Sequence, residues 1–227
     1  MPRHIGMLIF PRLTQLDMTG PYEVLARLPN TTVHLIARTL DPVTTDRGMQ
    51  ILPTVSYADC PPLDVVMVPG GPGQQDLMED QEALGFLRRQ AASAQFITSV
   101  CTGSLVLAAA GLLKGKRATC HWAAIDHLAL MGAIPTRERV VVDGNVVTGA
   151  GVASGIDFAL TLAAILEGEA VAREIQLQIE YDPDPPFDSG SPATAAPETL
   201  AALRARLAKL NEERREVATR VGRKLGV

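Results

Sequence analysis

Apolar runs of strand length alternate with longer stretches of helical composition along most of this chain. Ile5 to Phe10 is almost continuously apolar and predicts a buried strand. Pro11 to Gly20 reads as a loop, and Pro21 to Leu28 as a helix opened by its proline. Thr32 to Ala37 predicts a second strand, Asp41 to Gly48 a polar turn-rich link, and Met49 to Val55 a further strand. The apolar run Leu63 to Val68 is stopped by Pro69-Gly70-Gly71-Pro72-Gly73. Asp80 to Ala92 is helical in composition. Phe96 to Val100 is apolar and β-branched, and a helix-forming run begins a few residues after its end. Trp122 to Met131 predicts a helix. Val140 to Val142 and Val146 to Thr148 flank Asp143-Gly144-Asn145, the turn of a hairpin. Ile156 to Leu166 and Val171 to Tyr181 predict two more helices.

Strands alternating with helices predict an α/β fold with a mostly parallel central sheet covered on both faces. Sheets of that kind place their sites beyond the carboxyl ends of the strands. Three notable loops fall there: the one holding Asp17, the Gly70-Gly71 turn, and the junction at Cys101. Asp182 to Pro197 is rich in proline and reads as a loop, and Glu198 to Leu225 as a charged helix. At 227 residues the chain suits one large domain. Residues 1–190 are expected to form it, and residues 191–227 a C-terminal loop and helix packed on that domain or on a partner subunit.

Hydrophobic residues make up 47% of the chain, ample for a core. The net charge of −4 points to neither a nucleic-acid nor a membrane partner. No apolar run is long enough for a bilayer, and the start runs into a strand without a secretory pattern. The three cysteines, Cys60, Cys101 and Cys120, show no paired spacing. Free thiols in a reducing cytoplasm are the expectation.

The strongest chemical signal is Thr98-Ser99-Val100-Cys101-Thr102-Gly103-Ser104. A single cysteine between a buried strand and a helix is the pattern of a nucleophile elbow, whose side chain stands above the sheet beside the N–H groups of the helix start. The helix dipole there is expected to favour thiolate. Asp17 is either a turn or capping aspartate, or a carboxyl facing Cys101 that shares a proton with it. Gly70 and Gly71 either form a plain turn or leave bare amides for developing charge. Thr102 brings an amide and a hydroxyl near the sulfur, and Gly103 lets the helix pack closely. His121 and Trp122 either wall a pocket or belong to the core, with Trp122 read as core. Cys60 reads as structural, and Cys120 has no partner at metal-ligand spacing, so no metal is expected. Among the histidines, His4, His34 and His127 fall in or near predicted strands and helices. That leaves His121 as the candidate base of a Cys-His hydrolase.

The segments "FPRLTQLDMTGPYEVL", "VVMVPGGPG", "SVCTGSLVLAAAGLLKGKRATCHW" and "VVVDGNVVTGAGVASGIDFAL" together resemble the ThiJ/PfpI superfamily, up to about Pro186. That resemblance implies a flavodoxin-like sandwich and no cofactor. The "QLDMTGP" loop, the elbow and the "IEYDPDPPFDSGSP" tail resemble its isocyanide hydratase branch. This implies a small apolar isocyanide as substrate and a covalent thioimidate on Cys101. Asp17 would act as general acid and base. Thr102, Gly70 and Gly71 would stabilise charge, and His121, Trp122 and Val152 would meet the substrate. A homodimer is implied as well. Glyoxalase or deglycase-like chemistry and cysteine redox sensing run from the same elbow and stay open. The elbow and "RATCHW" also resemble the N-terminal domains of AraC-type regulators. One departure is Ala150, where the resemblance leads one to expect glycine; it implies different packing and mobility of the helix starting near Val152.

Overall fold

The computed structural model describes residues 2–227. Its centre is a seven-stranded sheet. In chain order the strands of that sheet and its satellites are β1 (Arg3–Leu8), β2 (Thr31–Ala37), β3 (Val43–Thr44), β4 (Gln50–Ile51), β5 (Val55–Ser56), β6 (Val65–Val68), β7 (Phe96–Val100), β8 (Arg117–Ala118), β9 (Ile134–Pro135), β10 (Val140–Asp143) and β11 (Val146–Gly149). The central order is β10-β11-β7-β6-β1-β2-β5. All neighbours are parallel except the hairpin β10–β11. β3–β4 and β8–β9 form small two-stranded ribbons. Every residue of β6 and of β11 is buried. Because successive side chains point to opposite faces, that burial requires cover on both sides of the sheet.

The cover comes from α1 (Gln15–Leu25), α2 (Gln74–Leu77), α3 (Gln81–Ala91), α4 (Gly103–Ala109), α5 (Ser154–Glu167), α6 (Glu169–Gln178) and α7 (Pro197–Leu225), with a 3₁₀ helix at Ile125–Met131. α1 packs on α5, and α5 on α6; α4 packs on α3, the 3₁₀ helix and α7. α3 shows a plain sequence cause: the Asp80 carboxylate caps it by accepting from the N–H groups of Glu82 and Ala83. No described helix is long and apolar enough to cross a membrane.

Three expectations are corrected. α1 begins at Gln15, so Asp17 lies in its first turn rather than in a loop, and Pro21 stands inside it instead of opening it. The proline removes one backbone donor but gains contact with α5: a Cβ on Gly155 would lie 3.0 Å from Pro21 Cδ. The strand expected over Met49 to Val55 is broken into β4 and β5 across Pro53. The helix expected from Trp122 is a 3₁₀ helix that starts at Ile125.

Candidate active site

At the end of β7 the backbone of Cys101 turns left-handed, with φ 58°. A residue with a Cβ is strained there, so the neighbours must enforce it. The Cys101 N–H donates to the Gly149 carbonyl at 3.0 Å. Gly103 lies so close to β6 that a Cβ would collide with the Val68 carbonyl oxygen. The first turn of α4 is held by Ser104, whose hydroxyl donates to the Thr119 carbonyl at 2.6 Å and lies 2.8 Å from the Ser99 hydroxyl. Strand and helix are thereby pinned on either side of a strained sulfur-bearing residue.

The ends of β1 and β6 meet this elbow. The Gly70 N–H donates to Asp17 Oδ2 at 2.9 Å, and the Gly71 N–H donates to Thr102 Oγ1 at 3.0 Å. The Thr14 N–H donates to the Gly70 carbonyl at 2.9 Å, tying the loop to the start of α1. A Cβ on Gly70 would lie 2.7 Å from Asp17 Oδ2 and 2.6 Å from the Thr102 nitrogen, so only glycine fits. The amides expected to be bare are both engaged. They position the Asp17 carboxyl and the Thr102 hydroxyl.

Asp17 is wholly buried. Its Oδ1 has no N–H or O–H donor. Burial pushes the carboxyl up to about 7, opposed by the neighbouring Cys101 thiol and by the hydrogen bond from the Gly70 N–H. Burial likewise pushes the Cys101 thiol well above its ordinary range, and the Asp17 charge adds to this, while the Thr102 N–H opposes it. This corrects the expected thiolate preference: with Cys101 only 5% exposed, desolvation outweighs the Thr102 N–H at the short α4 helix start. Asp17 and Cys101 form a coupled pair, and above about pH 7 one proton is shared between them.

His121, Trp122 and Val152 line a cavity of about 650 Å³ together with Cys120, Gly151 and Ser154. Trp122 is a half-buried wall residue, which corrects its reading as core. Burial, then the Arg214 charge, pushes His121 down to about 4, so it is neutral near pH 7 and a weak base. The charged residues of the lining are already paired: Arg137 with Asp126 at 2.7 Å, Arg139 with Asp157 at 2.7 Å, and Glu138 with Arg117 at 2.8 Å. Gly190 to Ala193, from the proline-rich tail, complete one wall. Ala150 lines the cavity too, and α5 begins only at Ser154, leaving Val152 in the preceding turn. Sequence reasoning used this tail only for its resemblance, without placing it at the cavity, and missed the Arg137-Glu138-Arg139 run, which carries no motif. It also missed Gln74 and Arg214, both buried beside the glycine loop. Arg214 had a signal: it interrupts the apolar stripe Leu210, Val217, Val221 of α7.

Residues 3–165 match the DJ-1/PfpI family. Over the full length of both chains the protein is 55% identical to isonitrile hydratase from Pseudomonas putida. Among solved structures, a ThiJ/PfpI family protein from Pseudomonas syringae superposes with a TM-score of 0.94 at 44% identity, covering 96% of this chain and 91% of that one. DJ-1beta from Drosophila melanogaster superposes with a TM-score of 0.72 at 26% identity, covering 81% of this chain and all of that one. The elbow, the parallel sheet and these matches agree, and the chain belongs to the DJ-1/PfpI family.

Proposed function

We propose that the protein hydrates isocyanides to N-substituted formamides, with Cys101 as nucleophile and Asp17 as general acid and base. The observation that carries this reading is the similarity to isonitrile hydratase across the whole of both chains. The paired charges of the cavity lining fit an uncharged substrate.

The reaction runs from the singly protonated Asp17–Cys101 pair. Moving the shared proton from sulfur to carboxylate creates a thiolate without bringing net charge into the buried site. The thiolate adds to the terminal carbon of R–N≡C, and the carboxyl proton goes to that same carbon. The product is the thioimidate R–N=CH–S–Cys101, with Asp17 left as carboxylate. Asp17 then takes a proton from water as the oxygen adds to the thioimidate carbon, and passes it to the nitrogen. Collapse expels the thiolate, releases R–NH–CHO and returns one proton to the pair. Thr102, fixed by Gly71, directs its N–H at the sulfur. Gly70 keeps the carboxyl aimed through both steps. No leaving amine needs an acid, so a neutral His121 is no obstacle; it serves with Trp122 and Val152 as a wall for the R group. A homodimer in the cytoplasm belongs to the same reading, on the resemblance and the three free thiols.

The test is to mix the purified protein with an aryl isocyanide and follow formamide formation. Turnover is expected. A wild-type protein that forms no formamide would sink the reading while leaving the fold intact.

A further inference from the structure

Arg214 is a buried cation in the second half of α7, 6% exposed. Its Nε donates to Gln74 Oε1 at 3.1 Å and its Nη1 to Asn211 Oδ1 at 3.3 Å. Among the described residues it has no carboxylate within 4.0 Å. A buried charge without a counterion is costly, and such a group needs negative charge nearby. α7 also lies beyond residue 165, where the family match ends.

Two lines run from Arg214 to the elbow. The first is a chain of hydrogen bonds. Gln74, fully buried at the start of α2, accepts from Arg214 with its side chain and donates its backbone N–H to the Gly71 carbonyl at 3.1 Å. Gly71 in turn donates to Thr102 Oγ1. α7 is strapped to the same segment by Gln75 Nε2, which donates to the Leu210 carbonyl at 3.2 Å, and by Arg220, which pairs with Glu79 at 2.9 Å. The second line is charge. The groups that face Arg214 electrostatically are Cys101 at the elbow, Cys120 and His121 after β8, and His127 on the 3₁₀ helix. Arg215 and Glu212 on its own helix pair with each other. Both histidines are pushed down, burial first and Arg214 second, so neither competes as a cation. Arg214 favours a negative Cys120, and both sulfurs favour the charge on Arg214. The opposing charge at Cys101 is the Asp17 carboxylate.

We propose that Arg214 is a positioning residue for the Cys101 site: from α7 it fixes the glycine loop through Gln74 and supplies the positive charge that balances a negative sulfur. This rests on Cys101 being the nucleophile. Alkylation reports on the sulfur without any isocyanide, so the two readings fail separately: one by absent formamide, the other by an unmoved profile.

The experiment measures iodoacetamide alkylation of Cys101 against pH, with the modified peptide quantified by mass, in the full-length wild type, Arg214→Met and Arg214→Lys. Methionine suits the apolar stripe, and replacing a buried ion by a similar-sized hydrophobe is often neutral for stability. The midpoint in Arg214→Met is expected to rise by about one pH unit, a roughly tenfold loss of thiolate on the acid side of the profile. Arg214→Lys, which keeps the charge, is expected to restore most of the wild-type profile. Should Arg214→Met fail to fold, Arg214→Gln sheds the charge while keeping a donor for Gln74. An unmoved midpoint in a folded, charge-free variant overturns the proposal. So does a Lys variant displaced as far as the charge-free one, because that is the signature of packing alone.

Discussion

Cys101 and Cys120 are both buried, both free, and both have thiols that burial pushes up, Cys120 to about 12. Of the two, Cys120 borders the 650 Å³ cavity. Accessible space alone would therefore choose Cys120 over the Cys101 proposed as nucleophile. What separates them is a place for the proton. Cys101 has the Asp17 carboxyl, itself raised to about 7, as a proton acceptor inside the same buried site. Cys120 has the Arg214 charge and the His121 backbone N–H, which stabilise a thiolate but accept nothing. Its ring neighbour His121, near 4, is a poor base. A buried thiol becomes a nucleophile when its proton can move without net charge entering the site.

The largest effect expected from this contrast is at Cys101 itself. Cys101→Ala should lose formamide formation by on the order of 10⁴-fold or more, as removal of a covalent nucleophile does. Next comes Asp17→Asn, which keeps the shape but not the proton, and is expected to lose ~10²–10⁴-fold in kcat. Stability should move the other way. The carboxyl titrates at about 7 in the fold against 3.8 unperturbed, so the folded state binds the extra proton between those values. The stabilisation from that proton is complete below 3.8 and is lost as pH rises through about 7. Asparagine has no such dependence. Asp17→Asn should therefore gain on the wild type as pH rises from about 4 to about 7, by at most ~4 kcal/mol, in calorimetric melts across that range. Equal slopes for the two proteins would remove Asp17 from the buried pair.

Gly70→Ala perturbs the carboxyl without touching its chemistry. The added methyl has to displace the Asp17 oxygen, the Thr102 nitrogen or both. Displacement by about 1 Å is expected to cost ~10²-fold in kcat, with a smaller change in KM. Steady-state kinetics separates the two parameters. An unchanged kcat would mean that the Asp17–Gly70 hydrogen bond does not set the geometry that distinguishes Cys101 from Cys120.

Much of this contrast was legible in the residues. The β-branched run before Cys101 and the small residues after it specify an elbow, and φ 58° is its backbone consequence. The alternation of strands and helices placed the Asp17, Gly70 and Cys101 segments at one end of the sheet, where they meet. Periodicity did not reach the electrostatics. A helix dipole can be read from a motif, but desolvation depends on everything packed around the sulfur, and that burial reversed the expected direction. The glycine amides show the same limit: a turn motif supplies donors, while only the tertiary fold decides which acceptors reach them. Arg214 was visible only as a charge out of place on an apolar stripe, because its partner Gln74 lies 140 positions away.

The smallest expected effect is the sharpest test of the contrast. Cys120→Ala removes a sulfur from the cavity wall and leaves Asp17, Gly70, Thr102 and Cys101 in place. Buried truncations of this size destabilise by about 1 kcal/mol, which is too little to unfold an ordinary domain. Formamide formation should stay within about fivefold of wild type, since less than ~1 kcal/mol of transition-state stabilisation is then at stake. The Cys120 thiol, pushed up to about 12, is uncharged near neutral pH, so the alkylation profile of Cys101 should stay where the wild type's is. A loss as deep as that of Cys101→Ala would instead make the two sulfurs partners in one reaction, and proton acceptance by Asp17 would no longer be what distinguishes them.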